Sequence, residues 1–322
     1  MHRIAPSDGP SRKRRLLKRV ALVGLLLLGL VLGVVAGVWT YLHPRFTWTR
    51  ELSYGERHGE PLRIDVLQPA APNGLGVLLM VSGSWKSGAH SLRPWLVAPL
   101  LRRGYTIFAV HHVSQPKATV MEIVEDVTTA ARFVRTRAAE FGVDPTRLGV
   151  TGGSSGGHLS LMLATRGLVG AAAVFFPVTD LLNLGSSTEN LQDGGPPKSF
   201  TRAFAQEPKD LVRWKVTGRE MSPLYHVTPE LPPVFICHGD ADTLVPLDQS
   251  QRFLERAREV GATVELRVHP GFGHGPAPDR RLPGWIAPVG VVPGAVLMML
   301  DIRRFADWFD RHLKPGSSPG TG

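Results

Sequence analysis

Three short segments carry most of the chemistry available to this sequence. They are Gly152-Gly153-Ser154-Ser155-Gly156-Gly157, then His238-Gly239-Asp240-Ala241-Asp242, then Gly271-Phe272-Gly273-His274. In that order they supply a hydroxyl, a carboxylate and an imidazole. A serine hydroxyl is a weak nucleophile until a base takes its proton, and a histidine base works best when a carboxylate fixes its tautomer. The glycines matter equally. In a Gly-x-Ser-x-Gly turn, the residues two before and two after the serine must be small so that strand and helix can approach. Two registers satisfy the pattern: Ser154 between Gly152 and Gly156, or Ser155 between Gly153 and Gly157. Asp240 and Asp242 likewise compete as the carboxylate. Among the twelve histidines, His158 reads as a packing or hydrogen-bonding residue, while His111 and His112 end a strand near the site. His112 is taken as a substrate contact.

These groups must be held by a scaffold, and the chain describes one. Short apolar runs at 76–81, 105–110, 147–151, 171–176, 234–237 and 264–268 read as strands buried on both faces, with 62–67 strand-like ahead of them. Helical stretches alternate with them at 95–103, 119–141, 158–165, 249–260 and 296–313. Repeated β-α units of this kind imply a doubly wound, mostly parallel sheet with ligands at the carboxyl ends of its strands. Each chemical segment follows a strand, as that architecture requires. Residues 181–221 break the alternation and are expected to form a cap over the strand ends that shapes the substrate pocket. The Pro- and Gly-rich stretch 275–294 is a second irregular loop, and 316–322 a flexible tail.

The run 147–164 (RLGVTGGSSGGHLSLMLA) resembles the nucleophile region of the α/β-hydrolases, in their feruloyl-esterase-like and acetyl-esterase-like branch and their prolyl-oligopeptidase branch. The resemblance implies the α/β-hydrolase fold over most of 62–313 and places the nucleophile on Ser154. Ser155 then lends its backbone N–H to the oxyanion hole. Val81-Ser82-Gly83-Ser84-Trp85 resembles the His-Gly-Gly-Gly-Trp loop of these esterases, departing from it at Val81, Ser82 and Ser84. It offers the N–H groups of Gly83 and Ser84 as further oxyanion donors and Trp85 as a substrate contact. The acid loop at 238–246 (HGDADTLVP) is similar to that of the same families and implies Asp242 as the partner of His274. The expected activity is hydrolysis of a small-molecule carboxylic ester through an acyl-enzyme. A prolyl-oligopeptidase-like peptidase and a catalytically silent binding module on the same fold are the alternatives.

The net charge of +10 suggests nucleic acid until its distribution is read. Residues 1–19 hold seven Lys/Arg against Asp8, and residues 20–42 hold no charged side chain at all. A basic tail abutting an apolar run is a topology signal, so no nucleic-acid partner is expected. As a helix, 20–42 spans roughly 35 Å, enough for a hydrocarbon core of roughly 30 Å. The expected organisation is a cytoplasmic tail (1–19), a membrane anchor (20–42), a linker (43–58) and an exported hydrolase domain (59–315). A cleaved signal peptide ending near Val34-Val35-Ala36 is the rival reading. Gly29, Gly33 and Gly37 form two G-x-x-x-G steps through which anchors can pair into a homodimer. The single cysteine, Cys237, permits no intrachain disulfide and reads as a core residue. No His-Glu-x-x-His or similar spacing occurs, so neither metal nor cofactor is expected.

Overall fold

A computed structural model of the 322-residue chain describes residues 12–88, 92–184, 198–205, 210–275 and 291–314. The chain divides into two units, Met1–Pro44 and Arg45–Gly322. In the first, helix α1 (Arg12–Leu42) covers the apolar run and part of the basic tail. Its segment Arg14–Leu42 is long and apolar enough to be a membrane span or a signal sequence, and none of its most apolar stretch is buried.

In the second unit, eight strands form one sheet in the order β1-β2-β4-β3-β5-β6-β7-β8. They are β1 (Phe46–Arg57), β2 (Glu60–Pro69), β3 (Gly76–Met80), β4 (Thr106–Val110), β5 (Leu148–Gly153), β6 (Ala171–Phe175), β7 (Val234–Gly239) and β8 (Val264–His269). β1 and β2 are antiparallel to their neighbours, and every pairing from β4 to β8 is parallel. The chain winds outward in both directions from the adjacent strands β3 and β5. Their carboxyl ends therefore flank the topological switch point, where an open α/β sheet leaves its crevice.

β1 corrects the expectation of a linker at 43–58. It is a mostly exposed edge strand whose alternation is broken by register shifts between Thr49 and Leu52 and between Ser53 and Gly55. Few of its side chains reach the core, so its hydrophobic pattern is faint. Ion pairs from Arg57 to the buried carboxylate of Asp126 and to Glu122 tie it to α3 (Val120–Arg137). That helix starts at a capping box, in which Thr119 and Glu122 satisfy each other's backbone N–H groups.

The two sheet faces bury separate apolar clusters. One face packs under α3, α4 (Ser155–Thr165), α6 (Leu211–Glu220) and α7 (Asp248–Val260), with Leu78, Val150, Val174 and Ile236 at its centre. The other packs under α2 (Ala98–Arg102) and α8 (Val291–Leu313), which brings in Phe305, Trp308 and Phe309. Cys237 is buried in this second cluster, and burial pushes its thiol pKa upward, so it is an inert core residue. A short helix, α5 (Lys198–Ala203), precedes α6 in the 181–221 segment. Residues 185–197 and 206–209 of that segment lie outside the described residues, as do most of 275–294, residues 1–11 and the 316–322 tail.

Candidate active site

β5 ends in three residues without bulk or with a short side chain, and the turn into α4 is tight. Ser154 sits at that turn with φ 56° and ψ −123°, a backbone conformation that a residue with a side chain rarely adopts. The glycines around it are demanded by close approach. A Cβ on Gly152 would lie 2.5 Å from the Gly156 carbonyl oxygen, and one on Gly156 would lie 2.7 Å from that of Met80. The pair that cannot carry side chains is thus the pair centred on Ser154. Ser155, by contrast, opens α4 with a buried side chain. α4 begins there, ahead of the expected start at His158. Gly156 and Gly157 have low helix propensity, which hid this first turn in the sequence, but the turn forms because the close packing around it requires glycine.

The loop after β3 closes as a two-residue turn. Gly83 and Lys86 exchange both backbone hydrogen bonds at 2.9 Å, and Ser84 and Trp85 have φ of 51° and 53°. Positive φ at both central positions is the type I′ pattern. One expectation fails here: the Gly83 N–H, taken as an oxyanion donor, is donated to the Lys86 carbonyl. The Ser84 N–H stays at the tip of the turn. Trp85 also departs from expectation. Its side chain is buried, edge-on to His158 and Phe204, and its Nε1–H donates to His158 Nδ1. The residue faces the core because a hydrogen-bond acceptor waits for its indole there.

His112 likewise has both ring nitrogens engaged by the protein. Its Nδ1 lies 2.9 Å from the Val113 carbonyl and its Nε2 lies 3.0 Å from Ser82 Oγ. A carbonyl accepts only, so Nδ1 carries the proton and Nε2 accepts from the Ser82 hydroxyl. Ser82 Oγ in turn lies 3.2 Å from Ser155 Oγ, which accepts the Trp85 backbone N–H at 2.9 Å. One consistent proton order results: Trp85 N–H to Ser155, Ser155 to Ser82, Ser82 to His112. Burial pushes the His112 pKa down to about 4, which keeps the ring neutral and the chain in this order. His158 is held similarly, donating from Nε2 to the Met221 carbonyl at 2.7 Å, and burial also brings its pKa down to about 4. The network therefore locks the turn that carries Ser84 against the start of α4. Ser82 and its hydroxyl had no distinguishing signal in the sequence.

The carboxylate and the imidazole meet at the ends of β7 and β8. Asp242 Oδ2 and His274 Nδ1 are 2.7 Å apart. The other Asp242 oxygen accepts the N–H groups of Leu244 and Val245, each at 2.9 Å. Burial pushes the Asp242 carboxyl up, yet hydrogen bonds from His238, His274 and the Val245 amide outweigh it and hold its pKa below the usual carboxylate range. Asp240 does a different job: its Oδ1 accepts the Gly271 N–H at 2.6 Å and steadies the loop leading to His274. Gly239 is compulsory here, since a Cβ would fall 2.0 Å from the Phe272 carbonyl oxygen. The Phe176 ring lies 4.4 Å from the His274 ring, a contact with no sequence signal. Among the described residues no hydrogen bond joins Ser154 Oγ to His274; such contacts commonly tighten only with substrate in place.

A cavity of about 330 Å³ opens beside the serine turn. Its lining includes Ser82, Gly83, Gly152, Gly153 and Phe176, and it deepens between the α2 and α8 layers. Neither Trp85 nor His112 lines it, and no described residue of 198–221 does. Of that segment's described residues, Phe204 lies edge-on to both Trp85 and Trp214.

A sheet of this strand order, winding out from β3 and β5 with a positive-φ serine after β5, is that of an α/β-hydrolase. More narrowly, the chain belongs to the BD-FAE family, whose model matches residues 64–256. It is 29% identical over 242 residues to "Probable carboxylic ester hydrolase LipM" of Mycobacterium tuberculosis (strain ATCC 25618 / H37Rv), covering 65% of this chain and 52% of that protein. It is 25% identical over 240 residues to "Isoprenylcysteine alpha-carbonyl methylesterase ICME" of Arabidopsis thaliana, covering 70% and 56%. The chain spans about half the length of these curated relatives. Among solved structures, a truncated carbohydrate esterase from gut microbiota superposes with TM-score 0.66 at 22% identity, over 83% of this chain and 96% of that one, a likeness of fold. The apo form of Thermogutta terrifontis esterase 2 does so with TM-score 0.60 at 25% identity, over 82% and 96%.

Proposed function

We propose that this protein is a serine hydrolase of small-molecule carboxylic esters, tethered to a membrane by its N-terminal helix. Ser154 Oγ attacks the acyl carbon while His274 Nε2 takes its proton, and Asp242 holds the imidazole in the tautomer that allows this. The Ser84 and Ser155 N–H groups receive the oxyanion; each such donor contributes roughly 3–4 kcal/mol to transition-state stabilisation. His274 then returns the proton to the departing alcohol, and water cleaves the acyl-enzyme by the same route. The observation that carries the reading is the 2.7 Å Asp242–His274 pair, set at the same end of the sheet as the strained serine.

The basic residues before the apolar helix keep its start in the cytoplasm and the hydrolase unit on the far side. Resistance to alkaline carbonate extraction, together with a full-length N-terminus, supports the anchor; a mature protein starting after Ala36 overturns it. The catalytic reading is tested by fluorophosphonate labelling with peptide mapping. A label on Ser154 that vanishes in Ser154→Ala supports it. A label on Ser155, or none on folded protein, overturns it, the latter in favour of a silent binding module.

A further inference from the structure

The proposed function leaves the acyl part of the substrate open, and the cavity beside Ser154 bears on it. The residues next to the nucleophile, Gly152 and Gly153, line this cavity on one side, and Gly83 of the oxyanion turn lines it on another. Phe176, whose ring packs on His274, lines it too. Ser154 and His274 do not themselves line it, but an acyl group held at Ser154 has these three elements, and the cavity they border, beside it. Deeper in, the walls are aliphatic: Leu96, Val97 and Leu100 from the α2 side, and Met298 and Ile302, one turn apart on α8. The polar lining is sparse. Arg93 brings a charged side chain to the lining from an exposed position, Ser82 has its hydroxyl engaged with His112, and Thr151 is a buried strand residue.

We infer that this cavity is an acyl-chain site and that the ester it serves carries an aliphatic chain of medium length. The inference rests on the proposed function. At about 30 Å³ for each water-sized group, 330 Å³ holds on the order of ten carbon atoms. An acetyl group would leave most of it empty. A hydroxylated aromatic acyl group would bring polar atoms to a wall with few partners for them, and unpaired buried polar groups are costly. Apolar walls with few polar groups reward each added methylene until the cavity is full.

The test is a series of p-nitrophenyl esters from acetate to palmitate, with p-nitrophenyl ferulate beside it, on the full chain in lipid nanodiscs. kcat/KM is expected to rise about three- to fourfold per methylene up to about eight to ten carbons and to fall beyond. Met298→Trp and Leu96→Trp fill the cavity from opposite walls. Each is expected to move the optimum to shorter chains and to lower the octanoate-to-acetate ratio at least tenfold. Fluorophosphonate labelling of Ser154 in every variant shows that the nucleophile is folded and active. A labelled wild type that prefers acetate or ferulate overturns the acyl-chain site and leaves the hydrolase intact. So does an unchanged chain-length profile in both variants. Absence of label on the wild type overturns the hydrolase reading and the acyl-chain site with it.

Discussion

The two faces of the sheet treat the carboxyl ends of β3 and β5 in opposite ways. On the α3/α4 side the space behind Ser154 is filled by an ordered polar chain: Ser155, Ser82, His112, Trp85, His158 and the Met221 carbonyl. On the α2/α8 side, the same strand ends border a cavity of about 330 Å³. One face holds the proposed catalytic turns still, and the other leaves room. A rigid site next to an open volume is the arrangement an acyl-transfer enzyme needs, because the donors must not move while the substrate must fit.

The largest effect is expected where the two faces meet. Ser154→Ala or His274→Ala should each lower kcat by on the order of 10⁴-fold or more, and the double variant by little more than either single one. Burst kinetics with p-nitrophenyl esters measure this. Retention of half the activity in either variant would remove the triad.

Acid should attack the holding face first. His112 and His158 are neutral in the fold with pKa values of about 4, below the usual histidine range. Between about pH 6.5 and 4 the unfolded chain therefore binds protons that the native one refuses, so stability falls as pH drops through that window. Each ring accounts for up to roughly 3 kcal/mol. Asp242, with its pKa held low, adds a loss in the same direction: its contribution is present above the ordinary carboxylate range and disappears as pH falls below it. Urea midpoints measured from pH 7.5 to 4 give the slope. A midpoint flat between pH 6.5 and 4.5 is incompatible with two buried neutral rings.

The hydrogen-bonded chain behind the oxyanion turn should matter less than the triad but more than packing alone. His112→Phe removes the acceptor for the Ser82 hydroxyl while keeping a ring of similar size. It is expected to lower kcat about ten- to hundredfold with KM little changed, the signature of a misplaced transition-state donor. His112→Gln, which restores an acceptor, should recover part of that loss. Equal loss in both variants, or a change confined to KM, would show that the network holds the fold and not the turn.

The residues of the proposed triad stand out in the sequence because each sits in a motif whose spacing is dictated by backbone geometry, and the fold is legible because buried parallel strands leave unbroken apolar runs. The failures have equally physical causes. β1 is exposed and twice shifted in register, which erases the alternation that announces a strand. Gly83 reads as a donor because it aligns with a glycine of the His-Gly-Gly-Gly-Trp loop; whether its N–H is available depends on the turn closing onto Lys86, a tertiary outcome. Trp85 beside a catalytic loop reads the same whether its indole meets substrate or His158. The contact of Phe176 with His274 joins two chain segments about a hundred residues apart and leaves no local trace.

The smallest effect separates the faces most directly, because it compares the same substitution on each. Leu159 on α4 is completely buried against the holding face. Leu159→Ala empties a filled space, and such truncations cost about 2–5 kcal/mol through lost transfer energy plus the cavity left behind. Leu96 lines a space that is already empty and is partly exposed. Leu96→Ala creates no new void in close packing, so only part of the transfer term remains, about 1 kcal/mol or less. Urea unfolding of the two variants side by side gives the contrast. Equal destabilisation would mean that the α2/α8 face is as tightly packed as the other, and that the cavity is no place for an acyl chain.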